Sequence, residues 1–462
     1  MVRRSLRRCC VLLWLGLGLW SPALRAQETA ADGAAQEEPA DSLRPKIQFG
    51  LEAKANFRHS DDNQFEVNFG FKPIQLPVGQ DKGFERTVNP GSHFELSNVT
   101  LFVDATWGEG LVAHGKVDFI DLYDRNPTSS DKKVDVDEAW IRLGQDPEPA
   151  TLAPHGGVYF KVGKFPKFER QDDRHLESYG LVSTAFNRFE DTGAELGVNL
   201  GRHLYLKATA TQGNPVFMRD PNALAGDNGT PALLRDNPDP KLHSGIVILY
   251  DAEVEDLDVD GELETGAGLG WRMADEAGRN GLDVLAWGYR RKLADKVELE
   301  GTFYGGDLDL LNGPKDVPAL PLKDDDKQEV GANVWLYLGG FSFFGQYVDQ
   351  ELAGLPRTGI EGEVAWRFDL PLVWAIGDRQ LFTFIAPAVR YSKLDNDFRN
   401  IRGVETPSPS FAWDWEKIDA GLRFGLFQGV DVTLEYADNR FILGSGAKRD
   451  NNEGLVTLRW RI

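Results

Sequence analysis

The residues best suited to chemistry in this sequence are its seven histidines. Nucleophilic hydrolysis needs a serine or cysteine next to a histidine base that a third group orients, and no histidine here stands in such a motif. His114 and Asp118 share strand parity, an arrangement that is better explained by ordinary polar wall residues than by a catalytic pair. G-x-S-x-G motifs, phosphate-binding loops and cysteine clusters are also absent from the sequence. We therefore predict no enzymatic activity and no cofactor.

Carboxylates are concentrated in residues 219–239 and 323–327. Calcium favours such oxygen ligands, but neither segment has the spacing of an EF-hand loop. Solvated loop charges account for both segments, so we predict no metal site.

The first 26 residues have the pattern of an export signal. Four arginines precede an apolar run over residues 11–20. This run is too short to span a bilayer as a helix, which takes about 20 residues. Small residues follow it up to Ala26. The pattern predicts a signal peptide over residues 1–26.

The rest of the chain is acidic and contains no cysteine. Both cysteines and five of the 51 basic residues fall in the first 26 positions, and the whole sequence has a formal net charge of −21. Nucleic acid is excluded as a partner because its binding requires basic surfaces. Residues 27–45 are mostly small or polar, and we predict a disordered periplasmic segment there, followed by one domain over 46–462.

Hydrophobicity with a period of two recurs through this domain. In residues 46–58 (KIQFGLEAKANFR), every second residue from Ile47 to Phe57 is apolar, and most residues between them are polar. Because successive strand side chains point to opposite faces, each such strand has one apolar face and one polar face. Membrane helices are excluded, since no later stretch approaches 18 apolar residues. The same alternation is found in residues 193–201, 296–304, 417–426 and 454–462.

The predicted strands are about 9 to 13 residues long, which suits a tilted bilayer crossing better than a soluble sheet. In a membrane every backbone polar group needs a partner, and only a closed sheet has no edges. We therefore predict an all-β, transmembrane antiparallel β-barrel in the outer membrane, with short periplasmic turns and long external loops. Tight turns are expected at 108–110, 201–202, 294–295, 339–340 and 428–429.

Nineteen segments fit the strand pattern, whereas barrels of this type have an even number of strands. Residues 64–72 are the expected surplus, lying within the first external loop, so 18 strands remain. Sixteen remain if one further pair lies outside the barrel. The other candidates are 46–58, 93–107, 111–121, 134–143, 158–165, 193–201, 204–213, 244–251, 262–272, 282–292, 296–306, 329–338, 341–350, 359–368, 381–391, 416–427, 430–438 and 454–462.

A run of local patterns lies between residues 93 and 213. The strand FELSNVTLFVDATW turns at GEG and returns as LVAHGKVDFID, followed by VDVDEAWIRLG, by FKVGKFPKFERQ (Phe160–Gln171) and by GAELG at 193–197. With these motifs the region resembles the phosphate-selective porin O and P family, over about a quarter of the chain. The resemblance implies a homotrimeric porin whose third external loop folds into the lumen and whose lumenal Lys and Arg residues select anions.

Carried onto this sequence, the resemblance implies a pore constriction formed around the loop of residues 166–192. Basic side chains in a narrow passage select anions because their charge offsets the loss of hydration. The same loop contains Glu169, Asp172, Asp173 and Glu177, so solvated loop charges remain an alternative. The implied constriction and anion-binding residues are Lys116, Lys161, Lys164, Lys167, Arg170, Arg174 and Arg188.

Strand parity leaves the solute open. Inward-facing bases (Lys116, Lys161, Lys207, Arg272, Lys296, Arg423, Arg459) are matched by inward-facing acids (Asp118, Glu195, Glu262, Glu264, Glu298, Glu300, Glu361, Glu363, Asp419, Glu435). Tyr289, Trp335, Tyr337 and Phe344 also have inward parity, which favours sugar binding, or they belong to an aromatic girdle at the bilayer edge.

The sequence thus predicts a water-filled channel for passive diffusion of small solutes, with phosphate-like anions as the implied class. Its expected partners are outer-membrane lipid and lipopolysaccharide and the small solutes and ions that pass. The alternatives are a substrate-specific channel or exporter for saccharides or organic anions, and an outer-membrane enzyme.

Overall fold

The computed structural model describes most of the chain from residue 45 onward. The predicted signal peptide and nearly all of the predicted N-terminal segment lie outside the described residues. These are 45–61, 63–67, 83–86, 91–108, 110–120, 134–149, 151–152, 156–186, 190–213, 263–292, 326–352, 355–371, 374–376, 379–396, 414–442 and 446–462.

The described residues form strands and one short helix, α1 (Leu181–Ala185). None of their helices is long and apolar enough to cross a membrane. The strands, in chain order, are β1 (Lys46–Ser60), β2 (Gln64–Val67), β3 (Gly83–Arg86), β4 (Gly91–Trp107), β5 (Leu111–Ile120), β6 (Val134–Leu143), β7 (Val158–Pro166), β8 (Glu190–Leu200), β9 (Leu204–Thr211), β10 (Glu264–Ala274), β11 (Asn280–Lys292), β12 (Asp326–Leu338), β13 (Phe341–Leu352), β14 (Leu355–Trp366), β15 (Phe368–Asp369), β16 (Trp374–Ile376), β17 (Arg379–Leu381), β18 (Phe384–Asn396), β19 (Asp414–Phe427), β20 (Val430–Ile442), β21 (Lys448–Asp450) and β22 (Glu453–Arg461).

Sixteen long strands form a closed antiparallel barrel. Each pairs with the next long strand along the chain. β1 closes the ring, since it pairs with β22, where Ala53 faces Trp460, and with β4, where Leu51 faces Leu101. The short strands β15 and β21 extend the barrel sheet, and β2–β3 and β16–β17 are separate hairpins. The predicted barrel is confirmed.

Of the two predicted strand numbers, sixteen is right and eighteen is wrong. Residues 64–67 form β2, which pairs with β3 outside the barrel, so the segment predicted to be surplus lies outside the barrel as expected. The candidates 244–251 and 296–306, with the turn predicted at 294–295, lie outside the described residues. The barrel ladder passes from β9 to β10 and from β11 to β12 without them.

The two faces of the barrel wall have opposite character. Outward side chains such as Phe49, Phe160 and Val389 are exposed apolar groups, whereas inward ones such as Asn333 and Lys417 are polar and buried. A soluble protein has the reverse arrangement, and an apolar outer band is what a bilayer requires. The wall is therefore that of a membrane-spanning barrel with a polar interior.

Short connections gather at one end of the barrel, here named the turn end. Gly108, Gly201, Gly339 and Gly429 have positive φ values in its tight turns, a conformation that glycine adopts without steric cost. The opposite end, the loop end, carries most of the long connections. The described part of one of these, residues 167–186 after β7, is named the inward loop.

Candidate pore constriction

The inward loop leaves β7 and crosses the interior of the barrel. At its start, the Lys167 ammonium pairs with the buried Glu264 carboxylate of β10. Two residues later, the Glu169 carbonyl accepts hydrogen bonds from Asn333 of β12 and, at 3.0 Å, from Gln346 of β13. The loop thereby passes over β10–β13 on its way to the far wall.

Carboxylates of the far wall bind the loop through its backbone N–H groups. Such groups otherwise remain unpaired in an irregular segment, and burying them without a partner is costly. The pairs are His175 N–Glu363 Oε1 at 3.0 Å, Glu177 N–Glu435 Oε2 at 2.8 Å and Val182 N–Glu361 Oε2 at 3.1 Å.

Cations of the same wall bind the loop carbonyls, so both kinds of backbone group are satisfied. Charge-assisted bonds of this sort are stronger than neutral ones. The wall donors are Arg390 to Ser178 O at 2.8 Å, Lys417 to Tyr179 O at 2.6 Å and Arg357 to Ala185 O.

Apolar side chains of the loop fit over glycines of the wall. A Cβ atom at Gly359 would stand 2.5 Å from Phe186 Cε2, one at Gly421 would stand 2.5 Å from Leu176 Cδ2, and one at Gly268 would stand 2.9 Å from Phe168 Cε2. Any larger residue at these wall positions would displace the loop. Ionic, backbone and apolar contacts therefore all fix the loop against one half of the barrel.

This docking changes the role of several residues that parity places inside the barrel. The acids Glu264, Glu361, Glu363, Asp419 and Glu435 are buried and hold the loop or pair with wall cations. Tyr289, Trp335 and Phe344 face inward as predicted, but they are buried in a hydrophobic cluster with loop residues 181, 182, 185 and 186. Of these four aromatics, Trp335 and Tyr337 border open space, and Tyr337 is the one that is partly exposed.

Most of the implied anion-binding residues are already paired with carboxylates. Arg174 instead stacks on the Tyr179 ring, 3.9 Å from its centroid, and Arg188 lies outside the described residues. The pairs are Lys116–Asp137, Lys161–Glu195, Lys167–Glu264 and Arg170–Glu190.

Lys164 departs from the expected grouping. It has the parity of Val158, Phe160 and Val162, whose side chains are exposed on the outer surface, and its Nζ donates to the Val136 carbonyl at 2.7 Å. Alternation along β7 therefore gives Lys164 the outward parity of the wall, and its Nζ also lies 3.8 Å from Asp135 Oδ2.

The tip of the inward loop carries a carboxylate surrounded by cations. Glu177 lies 3.2 Å from Lys54 Nζ, 2.6 Å from Arg423 Nη2 and 3.7 Å from Arg459 Nη1. Burial by itself would raise the pKa of Glu177, but these cations and Arg174 lower it to about 2. Glu177 therefore stays ionised through most of the acidic range. The stabilisation from its ion pairs is lost only as the pH falls towards the lowered pKa of about 2. We name Lys54, Arg174, Arg423 and Arg459 the cationic side.

Acidic residues dominate the wall formed by β4, β5 and β6, named the acidic side. A register shift opposite Lys116 and Val117 places both Asp137 and Glu138 at the interior. His114, which shares the inward face with Asp118 as predicted, bonds to Asp104 at 2.7 Å. The carboxylates of Asp137, Glu138 and Glu190 approach within 4.8 Å, with Lys116 and Arg170 offsetting their charge.

Two cavities open below the inward loop, towards the turn end. One, of about 480 Å³, is bordered by Arg142, Phe168 and Arg272. The other, of about 620 Å³, is bordered by Arg423, Asp431 and Arg459. Asp173 and Tyr337 border both cavities.

Glu177→Gln is expected to raise anion permeability relative to cation permeability. The substitution removes the loop carboxylate from the cationic side and leaves Glu52 and Asp431 of the wall as the remaining partners of its cations. A unit charge at 4 Å in water is worth about 1 kcal/mol, or roughly fivefold in local ion concentration. The reversal potential under a KCl gradient measures the change. An unshifted potential would place the cationic side away from the ion path.

Comparison with known proteins gives structural neighbours only. No family model and no curated protein matches the chain. The outer membrane channel DcaP of Acinetobacter baumannii aligns at TM-score 0.46 and 9% identity over 93% of this chain and 100% of that chain. OprB of Pseudomonas putida aligns at 0.48 and 9% over 92% and 95%, and an anion-selective porin from Comamonas acidovorans at 0.44 and 8% over 90% and 100%.

Proposed function

We propose that this protein is an outer-membrane porin through which small hydrophilic solutes diffuse passively. The observation that carries the proposal is a closed barrel, apolar outside and charged inside, crossed by a loop that its own wall holds in place. Barrels of this strand number leave an aqueous interior, and the docked loop narrows that interior. We also propose that the protein is exported through a cleaved signal peptide, that it contacts lipopolysaccharide and that it assembles as a homotrimer.

Anionic solutes are the proposed preference. Its support is the cationic side, where Lys54, Arg174, Arg423 and Arg459 lie around Glu177. These four cations outnumber the three carboxylates beside them, since Glu52 also pairs with Lys54, and Asp431 pairs with Arg423 and Arg459. The acidic side lines another part of the interior, so both cations and carboxylates face the lumen. The described residues therefore form no purely cationic site for inorganic phosphate. The proposal therefore covers small anions in general, with phosphate as one member.

Purified protein in planar lipid bilayers is expected to produce stepwise single-channel conductance. Folded barrel is verified in the same preparation by its heat-dependent shift in electrophoretic mobility. Absence of conductance from verified barrel would contradict the porin proposal. A reversal potential whose sign indicates cation selectivity would contradict only the anion preference. Adding phosphate to a channel that conducts chloride tests that anion directly.

A further inference from the structure

A second segment folds into the interior from the turn end. Residues 145–149, which follow β6 and are named the strap, reach across to β9 and β10. Asp146 Oδ1 lies 3.3 Å from Lys207 Nζ, and the Pro147 carbonyl accepts a hydrogen bond from Arg272 Nη1 at 2.9 Å. The cavity of about 480 Å³ is bordered by the strap and by the inward loop; it is named the chamber.

Nearly every cation of the chamber already has a carboxylate. Lys207 pairs with Asp146 of the strap. Lys161 pairs with Glu195 at 3.0 Å, and Arg272 pairs with Asp283 at 2.8 Å. These cations are poorly available to a ligand, because a solute would have to displace a carboxylate that is fixed in the wall or in the strap.

Arg142 of β6 differs from these cations. Among the described residues no carboxylate lies within salt-bridge distance of its guanidinium, although Asp146 of the strap is close enough for the charge of Arg142 to lower its pKa. The guanidinium lies 5.5 Å from the centroid of the Trp140 ring. Its Nε atom is buried and has no hydrogen-bond partner in the described part of the chain. Buried donors are normally paired, so the chamber offers one guanidinium to an incoming acceptor.

The rest of the chamber offers flat apolar surfaces. Phe168, Tyr205, Trp335 and Tyr337 border it, together with the proline rings of the strap. Its volume falls in the range of small-molecule sites, about 300 to 1,000 Å³, which typically combine aromatic walls with a few polar groups. Aromatic rings stack on such walls in offset or edge-on geometry.

Three exposed acids narrow the choice of solute further. Glu148, Asp172 and Asp173 border the same chamber, and each would repel a second negative charge. A small inorganic anion would use Arg142 but not the rings, and a neutral sugar would use the rings without balancing the guanidinium charge. A solute with one carboxylate and one planar ring uses both.

We propose that the chamber is a binding site for small aromatic monocarboxylates, with Arg142 as the carboxylate partner and Tyr337 as one stacking surface. The proposal rests on the porin function for the route by which such a solute arrives. It assigns a solute class that the channel holds in transit.

Current block by benzoate tests this site, with acetate as the carboxylate without a ring and benzyl alcohol as the ring without a charge. Benzoate is expected to reduce the single-channel current in a saturable manner, and the two controls at equal concentration to reduce it far less. Arg142→Gln should raise the half-blocking concentration about tenfold, because a hydrogen bond to a charged group is lost. Tyr337→Leu should weaken the block while leaving Arg142 in place.

Arg440→Gln is the matched control, since this guanidinium lies on an exposed part of β20 and pairs with Asp438 and Asp450. Equal block by acetate and benzoate, or unchanged block in Arg142→Gln, overturns the proposal. Calorimetric titration of benzoate into the detergent-solubilised barrel needs no conduction. Binding that depends on Arg142 in a protein without conductance would support the site and contradict the porin function. Conductance without benzoate binding would do the reverse.

Discussion

Replacing Arg390 with methionine is expected to release the tip of the inward loop and to increase single-channel conductance severalfold. The Arg390 guanidinium is fully buried; it bonds Asp419 at 2.8 Å, the Ser178 carbonyl at 2.8 Å and Glu363 at 3.4 Å. Removing one partner from a buried ion pair costs up to about 3–5 kcal/mol where the remaining charge has no compensation. Here Lys417 still lies 3.1 Å from Asp419, so the loss falls mainly on Glu363 and on the Ser178 carbonyl. Glu363, one of the carboxylates left at this site, also accepts a hydrogen bond from the loop backbone at His175 N, so repulsion between Glu363 and Asp419 acts on the docked loop.

The conductance of Arg390→Met is compared with that of Arg440→Met in planar bilayers. Both variants lose one guanidinium, but Arg440 belongs to the exposed network of β20 rather than to the loop contact. We expect a larger and noisier current from the first variant and an unchanged current from the second. A folded Arg390→Met barrel with wild-type conductance would show that the loop stays docked without this ion pair.

Much of the barrel was predictable because its physical determinants are local. The alternation of residues 46–58 corresponds to β1, and the tight turns at Gly339 and Gly429 join strands that are adjacent in sequence. Strand parity also indicated which side chains face inward, as with Glu195 and Trp335. A period of two needs no knowledge of the partner strand, so one sequence suffices to recognise it.

The constriction was harder to predict because it depends on contacts between distant parts of the chain. Glu177 meets Lys54 of β1 and Arg459 of β22, and no spacing rule connects these three residues. Parity showed Glu361 and Glu435 as inward acids but not that loop amides occupy them. Strand parity therefore predicts Glu361 and Glu435 as lumenal charges, although the docked loop covers them and removes them from the solute path.

The surplus strands illustrate the same limit. Residues 64–67 have a strand pattern but pair with residues 83–86 instead of the barrel. Alternation identifies a segment that is able to form a strand, whereas its place in a sheet depends on which edge it meets. The choice between sixteen and eighteen strands consequently required the ladder itself.

The wall glycines give the second large effect, since they decide whether the loop fits. Gly359→Leu is expected to push Phe186 and Val182 off β14 and to increase conductance. A Cβ atom added at Gly359 would lie only 2.5 Å from Phe186 Cε2 and 3.1 Å from Val182 Cγ2. Overpacking of this kind typically costs about 1–3 kcal/mol. The strand itself gains a side chain that suits it, so the strain acts on the loop and the barrel remains closed.

Gly115→Leu is the matched control, because a Cβ atom at this β5 position has nothing within 4 Å. Single-channel recordings and limited proteolysis of the two variants separate the outcomes. We expect Gly359→Leu alone to conduct more current and to become cleavable within the inward loop. If both variants have the conductance and cleavage pattern of the wild-type protein, the loop is able to dock on the wall in another way. The contact of Phe186 with Gly359 would then not be what holds the loop in place. Increased conductance without new cleavage would instead mean that the loop shifts sideways while its ionic contacts hold.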